Sequence, residues 1–333
     1  LGNIREGESF GTRSLALTND VTVDAYSEKL NAVLGSVSGD ATKSGGPVSL
    51  LAPGASDSSL VVSLGGTATA GAKSGAVVVR FETDGTGTSG LAAAALSDQS
   101  VGLVGNVYRK AVGSVPVSVV LNAVREGETF QAKGVSLANT ASADGYSDDL
   151  AAVIATLSPG FSVSGSVSAL AAGASDATTL QVGFTGSTAT AGPVSGTATV
   201  TYNSKGKTGT GLADATPTVA SASVGASGSV YRLATASVTP LTLSLGNTRT
   251  GMSAGSAVAD VRNTAATDGF SDNLGVSLAS QTGGFALTGA QTIAAGALGT
   301  VTATYTGETA SAGVKSGTLT LGLVSKGQAG TGL

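Results

Sequence analysis

Apolar and polar residues alternate along this chain with a period of two, and the alternation returns in blocks separated by glycine-rich stretches. Leu60, Val62 and Leu64 alternate with small or polar neighbours, as do Leu180, Val182 and Phe184, and then Val301, Ala303 and Tyr305. Runs of this kind predict strands with one buried and one wet face. A second strand carries Val77, Val79 and Phe81, which return 121 residues later as Ala198, Val200 and Tyr202 and again as Leu319, Leu321 and Leu323. Arg80 and Glu82 fall on its outward side. An earlier strand holds Leu15 and Leu17, then Val135 and Leu137, then Ala259 and Val261, and each time ends in an asparagine: Asn19, Asn139 and Asn263. No stretch sustains a helical period.

The polar phrases keep the same beat. "DAYSEKL" at Asp24, "DGYSDDL" at Asp144 and "DGFSDNL" at Asp268 stand 120 and 124 residues apart, and "TATAGAKSG", "TATAGPVSG" and "TASAGVKSG" begin at Thr67, Thr188 and Thr309. A period near 120 exceeds the ~20–50 residues of solenoid units, so each copy is a domain in its own right. Divisions are expected at residues 1–112, 113–235 and 236–333. Short strands with turn chemistry every eight to twelve residues or so predict an all-β protein of three tandem Ig-like antiparallel Greek-key β-sandwiches. With no Cys and no Trp, the cores must be aliphatic.

The two outer copies are each short by about one strand. The first lacks a counterpart of "PVSVV" (Pro116 to Val120), and the third lacks the strand spelled "SVGLVGNVYRK" at Ser100 and "SVGASGSVYRL" at Ser223. Two readings follow. Either these residues belong to a longer array, or a neighbouring molecule donates the missing strand to an open sheet edge and builds a head-to-tail filament. The opening at Leu1 carries no signal-peptide pattern, as in a mature chain or an excerpt.

"SLLAPGASDSSLVVSLGGTATAGAKSGAVVVRF" (Ser49 to Phe81) and its two echoes resemble the Hydin-type and choice-of-anchor immunoglobulin-like repeats of bacterial extracellular proteins. Those families pair an Asn-Thr strand end with a Leu-x-Pro-Gly-x-Ser turn and a Gly-x-x-Ser-Gly hairpin. The resemblance implies a sandwich fold and a cell-surface setting, and its motifs are structural turns without functional residues. Ala172 and Ala295 stand where the first copy has Pro53.

Composition narrows the function classes. Only 11% of residues are charged, against about 25% in an ordinary globular chain, which suits tight packing and end-to-end or lateral association. The net charge of −4 with scattered Lys and Arg disfavours nucleic acid, and no apolar run reaches the ~20 residues of a membrane-spanning helix. There is no His and no Cys, which removes the commonest general base and thiolate chemistry and argues against an enzyme. "GTGTSGL" at Gly85 and "GKTGTGL" at Gly206 read as turns, because strands rather than a helix flank them.

Asp144, Asp148 and Asp149 offer calcium hard oxygen ligands, and this is the one cofactor suggested. The set shrinks to Asp24 and Glu28 in the first copy and to Asp268 and Asp272 in the third. The competing reading makes Asp144 and Gly145 a turn, Ser147 or Asp148 a cap, and Tyr146 an anchor in the core. Arg5, Arg125 and Arg249 recur while their acidic companions drift. They read first as solvated strand-edge charges, with backbone carbonyls or a neighbouring bead as alternative partners. Tyr108, Arg109, Tyr231 and Arg232 fall at the bead junctions and are expected to pack there. The partners foreseen are other copies of the chain, head-to-tail or lateral, in a bacterial filament, stalk or surface layer. The alternative is an adhesin or carbohydrate-binding module whose partner is a glycan.

Overall fold

Each alternating run forms a strand because its small and β-branched side chains pack well on a pleated, half-buried surface. The computed structural model describes residues 1–215 and 220–333, and all regular structure among them is strand. No described helix is long and apolar enough to cross a membrane.

The strands fall into three β-sandwiches, each with its own apolar cluster. In the first bead one sheet runs, in spatial order, Asn3–Arg5, Gln99–Tyr108, Gly71–Asp84, Lys29–Gly39 and Val48–Leu51. The facing layer contains Arg13–Ser14, Val61–Leu64 and Ala41–Ser44. The second bead repeats this order with Ser118–Val120, Ala220–Tyr231, Gly192–Lys205, Asp149–Leu157 and Ser166–Leu170. The opening strands depart from the antiparallel pattern, and Ser118–Val120 runs parallel to Gly225–Ser227. Asn3–Arg5 runs parallel to Asn106–Tyr108, and Val124–Arg125 runs parallel to Val230–Tyr231. The first strand of a bead therefore travels beside its last, toward the same end.

The inward residues are those the alternation singled out. Leu60, Val62, Leu64, Val77 and Val79 are buried in the first bead, and Leu180, Val182, Ala198, Val200 and Tyr202 in the second. Fully burying each larger aliphatic contributes roughly 1.5–3 kcal/mol, which lets such a core stand without disulfides. Phe10 and Phe130 add aromatic volume by lying across glycines. A Cβ on Gly105 would stand 2.6 Å from the Phe10 ring, and one on Gly228 2.7 Å from that of Phe130. The third bead has Ala254 at the Phe position.

The turn after the fourth apolar run shows what the Pro53 difference means. Gly54, Gly173 and Gly296 have φ of 74°, 76° and 76°, and each donates its amide to the carbonyl of Asn19, Asn139 or Asn263. Ala55, Ala174 and Ala297 close the same turn onto Ala52, Ala171 and Ala294 at 3.0 Å. The turn is identical with Pro or Ala at its second position because the left-handed glycine decides it.

The third bead is the poorest in core. Its cluster holds six buried residues, against twelve in the first bead and nineteen in the second. Among the described residues, strand Leu319–Lys326 pairs with Asn273–Gln281, and none stands where Leu103 and Val107, or Val224, Ala226 and Val230, stand in the other beads. Leu323 is exposed, although its counterpart Tyr202 is buried.

The turn predicts a sharp contrast in stability. Replacing Gly173 by Ala strains a left-handed position and is expected to cost about 1 kcal/mol or more, whereas Ala172→Pro, which copies the first bead, is expected to be neutral or stabilising by up to about 1 kcal/mol. Urea denaturation of the full chain compares them, and equal midpoints for the two variants would refute the glycine argument.

Candidate functional site: the joint between beads

The recurring Asp-x-aromatic-Ser-acid phrase folds locally before it meets anything else. Asp144 Oδ1 accepts the Tyr146 amide at 3.0 Å, Asp268 Oδ1 that of Phe270 at 3.0 Å, and Asp24 Oδ1 that of Tyr26 at 2.9 Å. An aspartate bonding an amide two residues ahead makes an Asx turn, and here it lifts the aromatic ring to the crest of the loop. The buried asparagine at the strand end fixes the loop from below. Asn139 Nδ2 donates to the carbonyls of Asp148 and Leu170, and Asn263 Nδ2 to those of Asp272 and Ile293.

Held this way, the acid of the phrase points inward. The Asp148 and Asp272 side chains are 0% exposed. Oδ2 of Asp148 accepts from Ser204 Oγ at 2.8 Å, and Oδ2 of Asp272 accepts from Ser325 Oγ at 2.8 Å. Their cation comes from the preceding bead. Arg5 Nε lies 2.7 Å from Asp148 Oδ2, and Arg125 Nε lies 2.8 Å from Asp272 Oδ2. The expectation that these arginines are solvated strand-edge charges is therefore corrected. Arg5 is 7% exposed, and the parallel strand it terminates delivers its guanidinium across the junction. The neighbouring acids serve their own bead: Glu8 and Glu128 carboxylates accept the amides of Arg5 and Arg125, and Glu6 and Glu126 accept those of Ala70 and Ala191.

The chain crosses the joint without a slack linker. Arg109 donates its amide to Tyr146 O and accepts from the Asp148 amide, each at 2.9 Å, and Arg232 repeats this with Phe270 and Asp272 at 3.0 and 2.9 Å. Ala111 N then bonds Ser204 Oγ at 2.8 Å and Val112 N bonds Asn139 Oδ1 at 3.2 Å; Ala234 and Thr235 do the same with Ser325 and Asn263. Tyr108 packs on Tyr146 and Tyr231 on Phe270, both pairs with ring centroids 5.8 Å apart at 51°. Burial, with Tyr146 and Asp148 close by, raises the Tyr108 phenol above its ordinary pKa. Arg109 Nη1 reaches Asp144 Oδ2 at 2.7 Å and Ser147 Oγ at 3.0 Å, and Arg232 Nη1 reaches Asp268 and Ser271. Tyr108, Arg109, Tyr231 and Arg232 thus lie at the junctions, while Tyr146 anchors the joint rather than the core.

The three carboxylates considered for calcium do not converge. Asp144 faces Arg109, Asp148 faces Arg5, and Asp149 starts strand Asp149–Leu157. No group of three or more acidic side chains able to hold a metal occurs among the described residues. Two participants carried no sequence signal of this role. Ser204 and Ser325, with Thr83 at the same place in the first bead, supply the donor to the acid. The loop after Lys205 accepts Asn3 Nδ2 at Thr210 O and Arg5 Nη2 at Ala213 O. Only the 121-residue spacing of Thr83, Ser204 and Ser325 hints at the first.

What this joint does follows from charge burial. Desolvating an ion pair costs about as much as the pair returns, so Arg5–Asp148 adds little net stability. Removing its cation is another matter, since Oδ1 of Asp148 and of Asp272 already lacks a hydrogen-bond partner. A bead that rotated away would leave a buried carboxylate bare. The pair therefore selects one relative orientation.

No family model and no curated protein matches the chain. Among solved structures it is similar to the protocadherin gamma-B4 extracellular domain, at 12% identity over 96% of this chain and 49% of that one, TM-score 0.37. It is also similar to the human desmocollin-1 ectodomain (10% identity, 92% and 53% coverage, TM-score 0.35) and to a three-Ig segment of titin (10%, 98% and 94%, TM-score 0.28). The chain thus spans about half the length of the two cadherin-type ectodomains.

Two outcomes test the joint. Asp148→Ala is expected to destabilise the chain by about 3–5 kcal/mol by stranding Arg5, and Arg5→Met by a similar amount, while Arg5→Met with Asp148→Leu costs far less than their sum. Additive losses in urea denaturation would mean that the two side chains act independently. The bond from Arg109 and the Tyr146 amide hold the Asp144 carboxyl below its ordinary pKa of 3.8, and Arg232 and the Phe270 amide do the same for Asp268. A depressed folded pKa gives stabilisation that is complete above the unfolded value and is lost as pH falls through the folded one. Interbead energy transfer should hold steady from neutral pH to about 4 and fall below it, and a transition between about pH 5 and 7 would contradict this assignment.

Proposed function

We propose that this protein is a structural repeat of a bacterial extracellular filament, stalk or surface layer, whose beads keep a fixed orientation through buried joints. The observation that carries this reading is the same joint built twice: a buried carboxylate, a serine donor, an arginine from the bead before, and a stacked aromatic pair. Both the covalent connection and the side chains cross the junction under hydrogen-bonding constraint. Bending one bead against the next breaks several bonds at once, so the array behaves as a stiff spacer rather than as beads on a flexible tether. Low charge and short side chains reduce the ordering cost of packing such faces. Nothing in the arrangement gathers a nucleophile, a base and a substrate cleft at one place, and the work of the molecule is mechanical.

Small-angle scattering of the full chain is expected to give a single maximum dimension that is unchanged between low and moderate salt, and to broaden in Asp148→Ala and Asp272→Ala. Immunolabelling of the source cells with electron microscopy should then place the protein on ordered surface fibres or layers. Freely flexing wild-type beads, or label confined to the cell interior, would remove this reading.

A further inference from the structure

An open sheet edge is a template for another strand unless something blunts it. The larger sheets of the first and second beads end on one side in Val48–Leu51 and Ser166–Leu170, and the pairing of each is broken by a bulge, between Leu30 and Ala32 or between Leu150 and Ala152. Leu50, with φ of 54°, belongs to the first of these bulges. Lysines stand on two edges of the smaller sheets, Lys43 in Ala41–Ser44 and Lys133 in Lys133–Gly134. Both devices discourage pairing with a stray chain. Ser118–Val120, the opposite edge of the second bead's larger sheet, carries neither. Its parallel ladder uses alternate residues: Val117 O accepts the Gly225 amide at 2.9 Å, and the Leu121 amide donates to Ser227 O at 2.7 Å. Strand geometry turns the amides and carbonyls of Ser118 and Val120 the other way, where no described strand pairs with them. Val117 and Val120 are 87% and 67% exposed, while Val119 packs against the core that Leu121 enters. No charged residue lies between Lys110 and Arg125, and none lies in the neighbouring strand Ala220–Tyr231.

We propose that this edge is a lateral contact between two copies of the chain, in which Ser118–Val120 pairs antiparallel with itself about a two-fold axis at Val119. The register follows from the groups on offer. Ser118 of one copy stands opposite Val120 of the other, so both outward amides and both outward carbonyls of each strand find partners. Pro116, which has no amide to donate, falls outside the paired residues and keeps the ladder from lengthening. A second copy is the occupant that meets these requirements, since its segment is rich in valine, carries no charge and offers donors and acceptors at the same spacing. Across the axis no like charges oppose each other, because neither the edge strand nor its neighbour has any. The same patch serves both copies, so the contact closes at two. It is small and therefore reversible. The contact goes beyond the stiff-array reading, adding a sideways partner, and it does not depend on the joints.

Sedimentation equilibrium of the full 333-residue chain, from about 1 μM to about 1 mM, tests this. A reversible monomer–dimer equilibrium is expected within that range. Val120→Pro removes an outward amide that the bead itself does not use, and Val120→Lys places a charge on the edge without altering the backbone. Each should weaken dimerisation at least about tenfold. The chain has no cysteine, so introduced thiols report the register. An equal mixture of Ser118→Cys and Val120→Cys chains should form its mixed disulfide at least about tenfold faster than either variant bridges to itself, because directly opposed residues have Cα atoms about 5.5 Å apart and a bridge does not span more than about 7 Å. A chain that stays monomeric to about 1 mM, a dimer that Val120→Lys leaves at full strength, or self-bridging as fast as mixed bridging would each overturn the proposal. Scattering from the dilute chain reads the two joints alone, so failure of the edge contact and failure of the stiff-array reading remain distinguishable.

Discussion

A carboxylate that its own bead cannot neutralise governs how this molecule is put together. Asp148 and Asp272 are fixed in place by the asparagine beneath them and the serine beside them, and among the described residues neither pairs with a cation of its own bead. The arginine that completes each site stands on the bead before it. Because a buried ion without its partner is far more costly than the pair is favourable, the arrangement encodes geometry rather than strength. Everything else at the joint agrees with that geometry: the parallel first strand that carries the arginine, the ring contact above it, and the amides that the linker donates to serine and asparagine.

Asparagine is the second recurring element, and it ties fold to joint. Its amide nitrogen bonds the backbone carbonyl of the acidic residue, its oxygen accepts a linker amide, and its own carbonyl receives the left-handed glycine of the neighbouring turn. One buried polar side chain thus connects the core strand, the turn and the entry of the preceding bead. A buried amide in this position must satisfy both ends, which explains why the strand always stops there.

Small side chains set how closely these parts approach. Gly105 and Gly228 admit a phenylalanine ring against the backbone of the closing strand, and Gly75, Gly196 and Gly317 leave no room for a Cβ beside the facing chain. The first and second beads use all of these devices. The third keeps the turn and the joint acid.

The repeat, the strands and their buried faces were legible in the sequence, because period-two alternation and fixed spacing are local consequences of backbone geometry. Leu60, Val62, Val77 and Val200 needed no coordinates, and neither did the turn before Tyr146. Arg5 and Asp148 are 143 positions apart, and nothing in their neighbours distinguishes a solvated charge from one half of a buried pair. Ser204 likewise reads as an ordinary strand residue until its hydroxyl is seen between Asp148 and Ala111. Alternation determined which side of each strand faces inward. Only the assembled beads decided which charges lose water, since desolvation depends on what another domain places over them.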